Sequence, residues 1–235
     1  MKKENQSKSK LLKYVLLVLL MVFVIFIALT TRKMIILSTL DNKVSELKNS
    51  ESIYGKTIIN TNSLKRTVEL YFKDNILKYV ATLENQDGTI AKITQIDYPN
   101  ERKFYLDADT YKKMQIYSEN NEDTEWGLIA NYADSYTLSE KIFNSITAKI
   151  KTVTLDGKDC YEISSLCNSN VVYEQGTEKM LIYIEKDTGL PVKTIATVND
   201  NGNKIENVMT YEYQFNCVAT TDMAEPDSSQ YELET

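Results

Sequence analysis

One stretch of this 235-residue chain constrains everything else: Tyr14 to Thr31 reads YVLLVLLMVFVIFIALTT, 18 residues without a charge. As a helix rising about 1.5 Å per residue it spans about 27 Å, close to the hydrocarbon core of a bilayer. Lys2, Lys3, Lys8, Lys10 and Lys13 precede it beside a single Glu4, and Arg32 and Lys33 follow. The basic excess on the N-terminal side predicts a cytoplasmic N-terminus, with Tyr14 at the inner interface. A cleaved secretory signal has a shorter apolar region, about 7–15 residues, and Ala28-Leu29-Thr30 is a poor cleavage site. No cysteine follows the span before Cys160, so a lipoprotein acylation box is absent. The expected organisation is a cytoplasmic basic tail at 1–13, a transmembrane anchor at 14–31, a juxtamembrane helix at 32–52 and an extracytoplasmic domain at 53–235.

Dividing the chain there changes its charge. Residues 1–37 hold seven basic side chains and one acid, so residues 38–235 hold 20 basic and 32 acidic groups, a net of −12. A field of that sign repels nucleic acid and anionic headgroups, and no basic stripe offers phosphate contacts. Nucleic-acid binding is excluded. The chain has no histidine and seven glycines. That removes imidazole-based nucleophiles, histidine-ligated zinc and most proton shuttles. No phosphate-cradling glycine motif is present.

Beyond the anchor, Leu37, Leu40, Val44 and Leu47 recur at helical spacing. Arg32 and Lys33 do not by themselves break a helix, so the anchor can run straight into this segment. From Ile53 the period becomes two: Val68, Leu70 and Phe72 alternate with Thr67, Glu69 and Tyr71. Further runs follow at 76–83, 89–97, 104–106 and 114–117. Asp87-Gly88, Asp156-Gly157 and Asn201-Gly202 are hairpin signals, and Asp187-Thr188-Gly189 separates 180–185 from 190–198. The clearest strand runs from Ile205 to Cys217, long enough that it must twist and curl. Thr137-Leu-Ser-Glu140 is a capping box opening a helix with Leu138, Ile142 and Ile146 on one stripe, and 126–133 reads as a second short helix. The order is therefore helix, about six strands, helix, about five strands. The predicted class is α+β: a strongly curved antiparallel sheet, one face covered by helices, behind one transmembrane helix.

Candidate chemistry is thin. Asp187-Thr188-Gly189 matches the D-[ST]-G of aspartic proteases, but it occurs once and follows Glu185 and Lys186, so a hairpin turn is the better reading. Ser45-Glu-Leu-Lys48 fits S-x-x-K without its companion motifs. Asp107-Ala-Asp109 and the acidic run 119–125 lack the spacing of a calcium loop. Cys160, Cys167 and Cys217 leave three readings open: a Cys160–Cys167 bridge, a Cys160–Cys217 bridge, or three buried thiols. No metal, cofactor or catalytic residue is expected, and the chain is not expected to be an enzyme.

The aromatic content is more informative. Sixteen tyrosines, six phenylalanines and one tryptophan concentrate on strands. Most serve as strand packing. A curved sheet covered by one or two helices also leaves an apolar cavity, whose expected walls are Tyr79, Leu181, Tyr183, Tyr211, Tyr213 and Phe215.

Two segments carry a family resemblance. Glu185-Lys-Asp-Thr-Gly-Leu-Pro-Val-Lys193 resembles the T-G-L-P hairpin of lipoprotein carriers and RseB/MucB-type sensors. Tyr211-Glu-Tyr-Gln-Phe-Asn216 with Glu225-Pro-Asp-Ser-Ser-Gln-Tyr231 is similar to membrane-anchored Gram-positive members of the same LolA-like superfamily. The resemblance covers about residues 38–231. It implies a half-barrel of about eleven antiparallel strands with helices over its concave side, in an extracytoplasmic domain. It further implies binding of a lipid, lipopeptide or lipoprotein, or of an envelope protein partner, without catalysis. A chain held by Tyr14–Thr31 cannot shuttle between membranes, which favours sensing or holding over transport.

Overall fold

Two meanders of hairpins, joined edge to edge, make the sheet. The computed structural model describes residues 2–47, 49–61, 64–117, 138–164, 177–200 and 203–234. The first meander is β1 (Ser52–Asn60), β2 (Lys65–Lys73), β3 (Ile76–Asn85), β4 (Gly88–Asp97), β5 (Arg102–Ala108) and β6 (Tyr111–Tyr117). The second is β7 (Lys149–Leu155), β8 (Lys158–Ser164), β9 (Thr177–Glu185), β10 (Pro191–Asp200) and β11 (Asn203–Phe215). A two-residue β12 (Glu232–Leu233) ends the chain's secondary structure. The strand order is β12-β6-β5-β4-β3-β2-β1-β11-β10-β9-β8-β7, one curved sheet that does not close. All pairings are antiparallel except β12 on β6. Six strands, a helix and five more strands is the order read from the sequence.

Turn chemistry explains the hairpins. Asp74 and Asn75 have φ of 52° and 61°, and Asp156 and Gly157 have 51° and 80°. Positive φ at both central residues is the type I′ geometry that matches strand twist. Left-handed Asn216, φ 55°, ends β11 two residues earlier than the alternation predicts and puts Cys217 outside the strand.

The helix α1 runs unbroken from Lys2 to Leu47. Its first half is bare: every large apolar side chain from Tyr14 to Ile27 is at least 46% exposed. Its second half is buried, with Leu37, Leu40 and Val44 exposed by only 6%, 4% and 2%. Leu37 and Leu40 pack on Ile163, Ile182 and Ile184, and Val44 on Ile53, Leu70, Leu77 and Leu190. The helix thus crosses the concave face near the end that holds the β2–β3 and β9–β10 turns.

A shorter helix, α2 (Leu138–Thr147), packs against α1, where Lys141 pairs with Asp41. Burial holds the Asp41 carboxyl above its usual range, and Lys141 only partly offsets this. The Ile142 and Ile146 stripe points outward, at 46% and 48% exposure, while Asn144 and Ser145 are buried. The contact with α1 is thus made through small and polar side chains. The Thr137–Glu140 capping box, the 126–133 helix, the Asn201-Gly202 turn, the 119–125 acidic run and the Ser45/Lys48 pair lie outside the described residues.

Candidate functional site

Because side chains alternate across a strand, register assigns each position to a face. Leu70 and Phe72 of β2 pack with α1, so Arg66 and Val68 share the concave side. The ladders then place Tyr79, Ala81 and Leu83 of β3, Ile93 of β4 and Leu106 of β5 on that side. Met209, Tyr211, Tyr213 and Phe215 of β11 join them. Past α1 this face carries half-buried apolar residues, Ile59, Val68, Leu83, Ile93, Leu106 and Met209, with Thr57, Arg66 and Gln95 among them. The result is a largely apolar trough toward the β1–β2 and β3–β4 turns.

Four of the six expected wall residues, Tyr79, Tyr211, Tyr213 and Phe215, share this face. Tyr211 and Tyr213 stack with ring centroids 6.4 Å apart. The Tyr211 hydroxyl donates to Thr194 Oγ1 at 3.3 Å. Phe215 and Tyr213 line the α1 cluster, and Tyr79 lies across the ladder between Leu70 and Gln95. Leu181 and Tyr183 take the opposite face, because Ile182 and Ile184 are the β9 residues that α1 covers. Tyr183 lies across from Glu162 on β8 there, and burial, with that carboxylate, raises its hydroxyl's pKa.

One trough residue escaped the sequence reading. Arg66 stands one alternate position before the apolar series Val68, Leu70, Phe72, and a basic residue at an inward position was the available signal. Its Nη2 donates to Tyr79 Oη at 2.5 Å, and its Nε is buried without an acceptor.

The Asp187-Thr188-Gly189 turn is where α1 is held. Lys43 Nζ donates to the carbonyls of Lys186 at 2.7 Å and Asp187 at 3.1 Å. Gly189 sits at φ 76°, and a Cβ there would come within 2.7 Å of the Leu40 carbonyl oxygen. Only glycine tolerates both constraints. Thr188 Oγ1 donates to Glu185 Oε2 at 2.9 Å, closing the turn.

The convex face has its own cover. Residues 216–234 form a strap with two 3-10 turns, Thr220–Met223 and Ser228–Gln230. Beneath it Val80, Ile96 and Tyr105 are buried, together with the strap's own Val218. Glu225 accepts from Tyr98 at 2.5 Å, Lys103 at 2.9 Å and Tyr105 at 2.8 Å. Partial burial pushes its carboxyl up, but the three donors outweigh this and hold it below its ordinary 4.5. The same contact and burial raise the Tyr98 and Tyr105 hydroxyls. A cavity of about 250 Å³ lies between strap and sheet, lined by Lys78, Lys92, Asp107, Glu225 and Tyr231 among others. A larger polar cleft of about 640 Å³ opens where α1 enters β1. Its walls bond to one another: Glu51 N–H to Asn216 Oδ1 at 2.9 Å, Lys73 Nζ to the Val218 carbonyl at 3.0 Å.

Cys160 and Cys217 are free thiols, the first buried and the second exposed. This replaces both bridged readings, and Cys217 departs from the buried one; Cys167 lies outside the described residues. Among the described residues no group of three metal-ligating side chains comes together, and Asp107 instead pairs with Lys112 at 2.8 Å.

The architecture is an open, curved sheet, antiparallel but for β12, with a helix packed against one face. Several solved structures align with it over most of the chain. A DUF1329 family protein from Desulfovibrio piger is 11% identical, with TM-score 0.36, covering 81% of this chain and 96% of its own. MucB is 14% identical, with TM-score 0.36, covering 83% of this chain and 64% of its own. A LolA superfamily protein from Nitrosomonas europaea is 9% identical, with TM-score 0.26, covering 80% and 97%. No family profile and no curated protein matches the sequence.

Proposed function

We propose that this chain is a single-pass membrane protein, N-terminus cytoplasmic, whose extracytoplasmic half-barrel holds a hydrophobic ligand or a lipidated protein without catalysis. The observation that carries the reading is the continuity of α1. One helix is apolar and bare over the length of a bilayer crossing, and then becomes the filling of the sheet's concave face. Arg32 to Leu37 separates the two roles, about 8–9 Å of helix. The trough is thereby held rigidly beside the membrane surface. Its remaining apolar surface is half-buried, as suits an acyl chain.

Native mass spectrometry of the purified full-length protein tests this. Co-purifying acyl lipid that competes with added lipid is the expected result. A protein that neither carries nor takes up lipid overturns it.

A second reading, an envelope sensor that docks a protein partner, draws support from α2, which leaves Ile142, Phe143 and Ile146 46–52% exposed. Crosslinking from Phe143 in native membranes should capture one specific neighbour under this reading, and repeated failure counts against it.

A further inference from the structure

Arg66 stands where the trough calls for an apolar side chain. Among the described residues its guanidinium makes one hydrogen bond, from Nη2 to the Tyr79 hydroxyl at 2.5 Å, and Nε is buried without an acceptor. Nearby carboxylates are committed elsewhere. Glu84 and Glu69 lie on the opposite face by alternation, Glu84 pairing with Lys65 at 2.8 Å and Glu69 accepting from Tyr54 at 2.8 Å. The other guanidinium of this face, Arg102, pairs with Asp97 at 2.7 Å. Buried polar groups are nearly always satisfied, and an unpaired charged donor calls for an explanation.

The Tyr79 hydroxyl accepts from Arg66, so its own proton remains available to donate. Arg66 Nε–H and Tyr79 O–H are therefore two donors without a shared acceptor, at one point of a largely apolar trough where the neighbouring Gln95 amide is turned to Asp97. We infer that this pair is a headgroup site for an acyl ligand with an oxyanion head, a carboxylate or phosphate, whose tail lies along the half-buried Val68, Leu83 and Ile93. The guanidinium fork suits both heads. Charge complementarity at Arg66 is local, acting at contact distance within a domain whose net charge is −12, and it makes the ligand an acidic amphiphile. The inference rests on the ligand-binding reading above and names the chemistry of that ligand.

The test titrates full-length protein in tetraethylene glycol monooctyl ether with palmitate, palmitoyl-lysophosphatidate and palmityl alcohol, reading occupancy by native mass spectrometry. The expected result is at least about tenfold tighter binding of one or both acids than of the alcohol, the size of a charge-assisted hydrogen bond. Arg66→Met should erase that preference while alcohol binding persists, which also shows the variant is folded. Tyr79→Phe should reduce the preference several-fold. Should Arg66→Met fail to fold, wild-type selectivity and Tyr79→Phe decide. Equal binding of acids and alcohol, or a preference that survives Arg66→Met, overturns the headgroup site and leaves the ligand reading intact. Binding of none of the three overturns both. The two acid arms separate carboxylate from phosphate.

Discussion

The two faces of the sheet are covered by opposite means. On the concave face α1 contributes Leu37, Leu40 and Val44, and burial of apolar surface dominates. On the convex face the strap contributes little regular structure and is latched by polar contacts. Lys78 Nζ donates to the carbonyls of Asp222 and Ala224 at 2.7 and 2.8 Å, and Glu225 gathers three donors. Tyr231 adds an edge-on contact with Tyr105 at 5.2 Å. A cover held by apolar burial does not weaken in acid, and the raised Asp41 carboxyl on α1 even favours the folded state as pH falls, whereas one latched by a carboxylate held below its ordinary range loosens. The side joined to the bare N-terminal half of α1 is thus the robust one.

The comparison breaks most severely at Leu40. Leu40→Ala removes a side chain 4% exposed, between α1 and β8–β9, and should cost about 2–5 kcal/mol in urea unfolding. A cost below about 1 kcal/mol would mean that α1 is not the core of the concave side. Next in size is Gly189→Ala, which forces a side chain into φ 76° and against the Leu40 carbonyl. A loss of about 1–3 kcal/mol is expected, and an unchanged melting temperature would deny the clamp between turn and helix.

On the convex side the effects should be smaller and local. Glu225→Gln weakens charge-assisted bonds, at about 1–2 kcal/mol, and should speed amide exchange in 218–234 while α1 amides stay protected. The same asymmetry should appear with acid. Because the Glu225 carboxyl lies below its ordinary 4.5 when folded, its contribution is present above that pH and is lost as pH falls through the folded value. Exchange that rises equally on both faces between pH 5 and 3 would erase the distinction. The smallest effect belongs to Lys65→Ala, which breaks an exposed pair with Glu84. At most about 1 kcal/mol is expected, and a larger loss would show the convex surface more coupled than its exposure implies.

Much of this was readable residue by residue. The helical stripe Leu37, Leu40, Val44 and Leu47 stands out because charges separate its members, and β11 because polar and apolar residues alternate along it. The turn reading of Asp187-Thr188-Gly189 followed from its flanks. The β9 face was not readable: Met180 to Ile184 is apolar at every position, so alternation carries no phase. Ile182 and Ile184 face α1 only because of how β9 pairs with β8 and β10. The strap was invisible as a cover because it has no period, and its latch joins Glu225 to residues 120 or more positions away.

Local physics is written in the sequence. The uncharged run from Tyr14 to Thr31, the helix after it, the hairpin turns and the −12 charge of residues 38–235 need only neighbours along the chain to be defined. What needed the fold was every choice between equals. It selects which side of β9 faces inward, seats α1 on the concave face and the strap on the convex one, and leaves Arg66 beside Tyr79 with a buried, unpaired donor. Such choices rest on pairing between distant strands, above all β1 with β11. Their free energy comes from burying surfaces that are not neighbours until the chain has folded.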